Sequence, residues 1–531
     1  MTLKFSESPA IRVREFDQTG IVPAVASTTG AIVGDFNWGP INTPILISNE
    51  SELATVFGSP SSGNAYSGDF LSAAYFLKYS SSLYVVRSDR PTYEADDLSI
   101  VQGSNFAGES TNTFLGKYKG EFGNQVKIFV ADQTTFVGWE FASLFSGPPI
   151  ADERHIVVAT GIPSIVANYL DQVDVVETYE YVSTDSNARL ANGTNNYLVE
   201  VINTKSSWIQ MNPNYDASTL VSADYFLSLG TDGVLNDGFT QYYTKADHEL
   251  ALEEYRNKDA VQIDFLIAPA GEQDRLFEMH QVMHGIVNER KDCVAVMSPP
   301  SGDSASMVTY VYSLLLSTSY IIFDANWLKV YNKYTDKYEY IPAASSTAGV
   351  MAASDRDSAP WFSPAGSRRG QYLGVTELLN NPTKTERDAL YKGGINPIIS
   401  VPSQGVMLFG DKTLLNRPSA FDRINVRRLF LVVERAISKA AEGVMFEFND
   451  EFTRAEFVNI VEPFLREIQG RRGITDFRLV CDDTNNTPEV IDRNEFIATC
   501  FIKPARSINY VTLNFVAVRT GVDFEEVVGT I

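Results

Sequence analysis

Histidine, cysteine and long apolar runs are what this sequence has least of. Four histidines and three cysteines are spread over 531 residues. No apolar stretch approaches the ~18 residues that span a bilayer. The longest candidate, Tyr310 to Phe323, is broken by Ser313, Ser317, Thr318 and Ser319, so no membrane partner is expected. Met1 to Arg14 carries Lys4, Glu7, Arg12 and Arg14 around no apolar core and does not read as a secretory signal. Cys293, Cys481 and Cys500 are an odd set with no C-x-x-C spacing, which argues against a disulfide framework and a thiolate metal site. Their apolar neighbours fit plain buried cysteines. Positive charge is also scarce: 43 Lys and Arg against 66 Asp and Glu leave a net charge of −23. Such a surface repels phosphate backbones, and no basic stripe interleaved with aromatics offsets it, so no direct nucleic-acid partner is expected.

Catalytic signatures are missing too. There is no G-x-x-x-x-G-K-[ST] loop and no G-x-S-x-G elbow, and Gly30, Gly34 and Gly39 are mis-spaced for a dinucleotide fingerprint. His280 and His284 share a predicted helix at i, i+4, a spacing that can hold a metal, but Gln281 stands where H-E-x-x-H needs its glutamate. A packed or solvated helix is the favoured reading. Asp232 and Asp237, in G-T-D-G-V-L-N-D-G, fail the EF-hand spacing and read better as a tight turn held by Asx hydrogen bonds. The expectation is a protein that is not an enzyme and has no cofactor.

What is present is architecture. At roughly 100–200 residues per domain, about three domains are expected. The run 30–36, the segment 44–47, an Asn49/Glu52 helix start, an apolar i, i+3, i+4, i+7 stripe over Asp69 to Lys78 and the strand Leu83 to Arg87 read as an α/β layer. Between about Pro91 and Trp208, short Thr/Val/Tyr-rich runs alternate with Gly, Asn and Ser clusters, as a β-rich insertion would. The α/β style then returns: helix at Leu250 to Arg256, strand at Ile263 to Ile267, helix at Asp274 to Glu289, strand at Cys293 to Met297. After the turn-rich 358–370, a helix over 425–441 puts Val426, Leu429, Val433, Ile437 and Ala440 on one face. A second helix starts at Thr453 with Glu456 as its capping partner and should kink at Pro463. Strands follow at Phe477 to Cys481, Phe496 to Ile502 and Ser507 to Arg519.

The two ends are both strand-like: Pro9, Ile11 and Val13 alternate in the first, and Tyr510, Val511, Thr512, Leu513, Asn514 and Phe515 run through the last. An arm of this kind can extend a neighbour's sheet edge through its backbone. Packing on its own subunit is the commoner outcome, and these residues alone leave both open.

Several strings in order resemble one family. They are S-P-A-I (8–11), T-G-A-I-V-G-D-F-N-W-G-P (29–40), F-G-S-P (57–60), L-Y-V-V-R (83–87) and A-P-W-F-S-P-A-G (359–366). The C-terminal half adds I-N-V-R-R-L-F-L-V-V-E-R-A-I (424–437), F-E-F-N-D (446–450), C-D-D-T-N-N-T-P-E-V-I-D (481–492) and K-P-A-R-S-I-N-Y-V-T-L-N-F (503–515). Together the sequence resembles the phage tail sheath proteins, above all those of T-even-type myoviruses; Pro463 departs from the pattern. The resemblance implies α/β and α+β multidomain folds. An N-terminal arm (1–20) precedes an α/β middle domain (21–95 with 205–357) carrying a β-rich outer insertion (96–204). An α+β C-terminal domain facing the tube (358–506) and a terminal strand or arm (507–531) complete it. It further implies stacked hexameric rings of the chain itself around a tail tube protein, arms exchanged between subunits, and contraction triggered at a baseplate, with a tail terminator as a further partner. Thr19–Gly20 and Gly521 are the hinges this would use. The protein would belong to the virion tail, assembled in the host bacterial cytoplasm. The alternatives are the sheath of a non-phage contractile injection device and, in another class, an envelope-degrading or receptor-binding tail protein. Arg427, Arg428, Arg471 and Arg472 stand out in an acidic chain as tube contacts, against capping of helix C-termini or local pairing with Glu434 and Glu467.

Overall fold

The computed structural model describes residues 28–60, 67–88, 113–118, 120–161, 173–227, 245–271 and 273–507. Pro9, Ile11, Val13, Tyr510 to Phe515, both expected hinges, Asp232 and Asp237 lie outside the described residues. The chain divides into a compact unit of residues 1–446 and a second one of residues 447–531.

The first unit opens with β1 (Gly30–Gly34), β2 (Ile45–Ile47), α1 (Glu50–Phe57), α2 (Ser67–Leu77) and β3 (Leu83–Arg87). Asn49 caps α1, its side chain accepting from the Glu52 N–H, as the sequence predicts. The Glu52 carboxylate reaches Ser48 N–H at 2.8 Å, one residue earlier than a standard capping box. The insertion follows, with β4 (Phe114–Gly116), β5 (Val126–Ala131), β6 (Glu153–Gly161), β7 (Val173–Ser183), α3 (Leu198–Lys205), β8 (Ile209–Met211) and β9 (Asp224–Phe226). The main chain resumes at α4 (Lys245–Glu253) and continues through β10 (Phe265–Ile267), α5 (Gln273–Arg290), β11 (Val294–Met297), α6 (Ser304–Ser313) and β12 (Ile321–Ala325). It closes with β13 (Trp327–Asn332), β14 (Lys337–Pro342), α7 (Ala344–Asp357), β15 (Val375–Leu378), α8 (Lys384–Lys392), β16 (Ile395–Val401), β17 (Gly405–Leu408) and α9 (Ile424–Glu442).

Eight strands form one sheet in the order β17-β16-β12-β11-β10-β1-β3-β2. The six inner strands run parallel, while β2 and β17 close the edges antiparallel. Parallel strands are buried on both faces, and all five residues of β1 are buried. Ala31 and Val33 meet α4, α5 and α6 on one face; Ile32 meets α1, α2 and α7 on the other. The result is a doubly wound, three-layer body.

Two expected boundaries move. β16 and β17 extend the central sheet through β12, and α9 packs on that body, so the first unit does not end at 357/358. The insertion does not end at 204/205: β8 pairs with β4 and β9 with β5, which carries it through Phe226. Its four-stranded sheet, β7-β6-β5-β9, shares an apolar cluster with Trp38 of the α/β body, whose ring stacks on Trp208 at 5.5 Å.

The second unit holds α10 (Glu451–Gly470), β18 (Ile474–Val480), α11 (Pro488–Asp492) and β19 (Thr499–Pro504). Asp450, not Thr453, caps α10: its carboxylate accepts from the Thr453 N–H at 2.9 Å, placing Thr453 inside the first turn. The helix runs on through Pro463, which sits on its exposed side, where solvent can serve the carbonyl that the missing N–H leaves.

Candidate functional site

In doubly wound folds ligands enter a crevice at the carboxyl ends of the strands, where the strand order reverses. Here that point lies between β1 and its two neighbours, β3 and β10. The chain's own side chains occupy it. Asp69, in the first turn of α2, accepts from Asp35 N–H at 2.9 Å and from Ala270 N–H at 2.7 Å. Its approach requires Gly34, because a Cβ there would lie 2.8 Å from that of Asp69. His248 Nε2 lies 2.9 Å from Asp35 Oδ1, and the Ser88 hydroxyl donates to the same oxygen at 3.1 Å. Ser, His and Asp are all buried, but this is no nucleophile site. In a relay the imidazole stands between hydroxyl and carboxylate. Here the same ring nitrogen, Nε2, faces both the carboxylate at 2.9 Å and the hydroxyl at 3.5 Å, and Gly34 O, 3.1 Å from Ser88 Oγ, competes for that hydroxyl's single proton.

The two histidines at i, i+4 also sit in contacts of their own. His280 is buried, its Nδ1 3.0 Å from the Tyr310 hydroxyl, and burial pushes its pKa down to about 3. His284 Nε2 meets Asn288 at 2.6 Å. Among the described residues no group of three or more His, Cys, Asp or Glu can hold a metal ion. Burial raises the pKa of all three cysteine thiols, only one of which, Cys293, is fully buried. Among the described residues no helix is long and apolar enough to cross a membrane.

The four arginines part company. Arg427 and Arg428 are 6% and 4% exposed. Arg427 donates to Ser319 Oγ at 3.0 Å, with its guanidinium 4.1 Å from the Phe421 ring and 4.3 Å from that of Tyr320. Arg428 pairs with the buried Asp355 and lies over the Phe265 ring at 5.0 Å. Both guanidinium groups are spent inside the subunit, so the expected tube contact is corrected at these two positions. Arg471 and Arg472 are exposed at the end of α10, and Arg471 lies 3.4 Å from Glu467, the local pairing weighed against an interface role. Sequence reasoning missed Asp264 and Asp355, the acidic partners of Arg435 and Arg428, because nothing local marks an acid that pairs across 171 or 73 residues.

The second unit offers a different feature. Its only sheet among the described residues is the two-stranded pair β18–β19, backed by α10. Phe457, Val461, Leu465 and Ile468 of α10 bury one face, while Phe501 stays 58% exposed.

The fold recurs in solved sheath structures. A sheath tail protein of Listeria innocua shares it with a TM-score of 0.56 at 13% identity, over 91% of this chain and 96% of that one. The helical sheath of the anti-feeding prophage in its contracted state gives 0.54 at 13%, over 96% and 99%. Sequence goes further. The family models for the phage tail sheath protein central domain, its C-terminal domain and the tail sheath protein Gp18 domain III N-terminal region match residues 241–414, 416–517 and 27–87. The tail sheath protein of Salmonella phage ViI is 31% identical over 99% of this chain and 98% of its own. That of Enterobacteria phage T4 is 29% identical over 98% and 99%. This chain belongs to the phage tail sheath protein family, whose members are structural components of the virion's contractile tail.

Proposed function

We propose that this protein polymerises as stacked hexamers around a tail tube and contracts to drive that tube through the host envelope. Full-length similarity to phage tail sheath proteins carries the reading. The energy is held in subunit packing, so neither catalysis nor a cofactor takes part, and the change is a rigid-body rearrangement between two packings. Baseplate and terminator proteins bound the polymer, which assembles in the host cytoplasm.

The arms join subunits by strand addition: Pro9, Ile11 and Val13 of one copy, and Tyr510 to Phe515 of another, extend the β18–β19 sheet of a third. The sheet has only two strands among the described residues, and a sheet edge offers backbone donors and acceptors to an added strand, which supports this completion. The insertion is an outer domain, and Arg471 and Arg472 face the tube. Deleting residues 1–16 is expected to leave a folded subunit that forms no sheath by negative-stain microscopy. Normal polymerisation and contraction of that variant would refute arm exchange. A second reading, the sheath of a non-phage injection device, draws on the shared fold with the anti-feeding prophage sheath. A capsid gene beside this one decides for the phage.

A further inference from the structure

We propose that the Asp264 carboxylate is a coupling point: it ties the root of the N-terminal segment to α9, so that displacing one loosens the other. Asp264 immediately precedes β10 and is 8% exposed. Its Oδ2 accepts from Thr29 N–H at 3.0 Å, and its own N–H donates to Thr29 O at 2.9 Å. Thr29 is the residue before β1, where the N-terminal segment enters the sheet. The same spot is pinned from the other side, by Ser80 Oγ donating to Thr28 O at 2.7 Å and by the Thr29 and Ser82 hydroxyls 3.1 Å apart.

The second oxygen serves α9. Arg435 Nη1 donates to Asp264 Oδ1 at 2.6 Å, and Nη2 donates to Asp292 O at 2.9 Å. Arg435 lies about two turns before the end of α9, and the second compact unit begins at Glu447. One carboxylate thus holds the entry of the first segment and the helix that leads to the last. Loss of either contact leaves a buried charge short of partners, which weakens the hold on the other. A cavity of about 20 Å³ lies beside the pair, with Asp264, Asp292, Arg428 and Arg435 on its wall and apolar side chains such as Val294 and Leu431 making up the rest.

The consequence rests on the proposed arm exchange: a pull on the N-terminal arm by a neighbour would reach α9 through this residue. The coupling itself is tested on the free full-length subunit, so it stands or falls independently of assembly. In hydrogen exchange, Arg435→Gln is expected to speed the amides of residues 29–34 by about tenfold. Insertion strands β5 and β6 should stay unchanged. Thr29→Pro, which deletes the N–H donor, should speed the amides of 436–442 by a similar factor, because coupling is reciprocal. Arg435→Lys keeps the charge and should give the same pattern at smaller size, which guards against a Gln variant that does not fold. Faster exchange confined to α9 in the Arg435 variants, or spread evenly across the whole sheet to β17, would overturn the proposal.

Discussion

The eight-stranded body and the small second unit are built on opposite principles. In the body, β1, β3, β10, β11 and β12 lie inside three layers, and their backbone groups are paired on both sides. In the second unit only Ile474 of β18 is buried, and the sheet stops at two strands among the described residues. Buried parallel strands cannot accept a newcomer, whereas a two-stranded sheet has edges to give. A sheath subunit needs both: a part that keeps its shape and a part that joins copies. Charge follows the same division. An ion pair with both side chains buried, Asp355–Arg428, lies in the body, which also carries exposed pairs such as Arg356–Asp357; in the second unit, Asp476 meets Lys503 at 2.9 Å with both side chains exposed.

The largest way to sharpen that contrast is through Asp324. It lies buried at the end of β12, accepting from Ser298 Oγ at 2.5 Å and Thr347 Oγ1 at 2.6 Å; Tyr372 OH sits 2.8 Å from Thr347 Oγ1. No cation faces it within hydrogen-bonding distance among the described residues, and burial pushes its pKa up to about 7. The sign follows: the folded state binds the proton more tightly than the unfolded chain. Its stabilising contribution is complete below the unfolded value near 3.8 and is lost as pH rises through about 7. Asp324→Asn keeps the neutral form at every pH. Relative to it, the native protein should lose on the order of 3 kcal/mol between pH 4 and pH 8, read by denaturant unfolding. Parallel profiles would show that the carboxylate is solvated. Asp476 is lowered mainly by Lys503, and Asp476→Asn should leave the profile unchanged across the same range.

A smaller effect is expected at Gly349 in α7. A Cβ there would sit 2.3 Å from the Tyr79 ring. That ring cannot retreat cheaply, because the Tyr79 hydroxyl accepts from Leu373 N–H at 2.6 Å and its carbonyl from Arg356 at 2.9 Å. Alanine gains about 1 kcal/mol of helix propensity over glycine. Overpacking costs roughly 1–3 kcal/mol, and this overlap belongs at the high end. Gly349→Ala should therefore lower stability by about 2 kcal/mol; a variant that melts no earlier would mean the Tyr79 ring yields.

Much of the body was legible, for a physical reason. Amphipathic helices announce themselves by periodicity, so α5 and α9 fall within a residue or so of their expected ends. α7 was missed because a helix buried all round has no stripe: Ala, Ser, Thr and Gly fill it, and ten of its residues are buried. The β13–β14 hairpin was also missed, although Leu328, Val330 and Ile341 alternate inward against exposed Tyr331, Tyr338 and Tyr340. The addition of β16 beside β12 was not readable, since parallel pairing joins segments about 70 residues apart with no local mark. The arginines misled for a related reason. A guanidinium reads as surface until its acid and its aromatic partners are seen, and those of Arg428 lie at Asp355 and Phe265.

The smallest stability effect, and the sharpest functional one, is expected at Arg471 and Arg472. Both are exposed, and the Arg471–Glu467 pair lies in solvent at 3.4 Å. A pair of that kind contributes about 0–1 kcal/mol at most. Removing it from a helix C-terminus also forfeits a favourable dipole contact of about 0.3–1 kcal/mol. Reversing both charges to glutamate should therefore move the melting of the subunit only slightly. Arg472 has φ of 66°, a left-handed conformation that Glu tolerates no worse than Arg, so the backbone adds no further penalty. If the two guanidinium groups face the tube, the yield of decorated tubes should fall severalfold in the double variant while melting stays put, and raised salt should weaken native assembly through the same contact. Charge reversal of Arg427 and Arg428 would do the opposite, unfolding the body before assembly begins, because each places a carboxylate among buried groups. An unchanged yield of tubes from the Arg471/Arg472 variant would leave those side chains to their local pairing, and the tube contact would then have to be sought on other exposed faces.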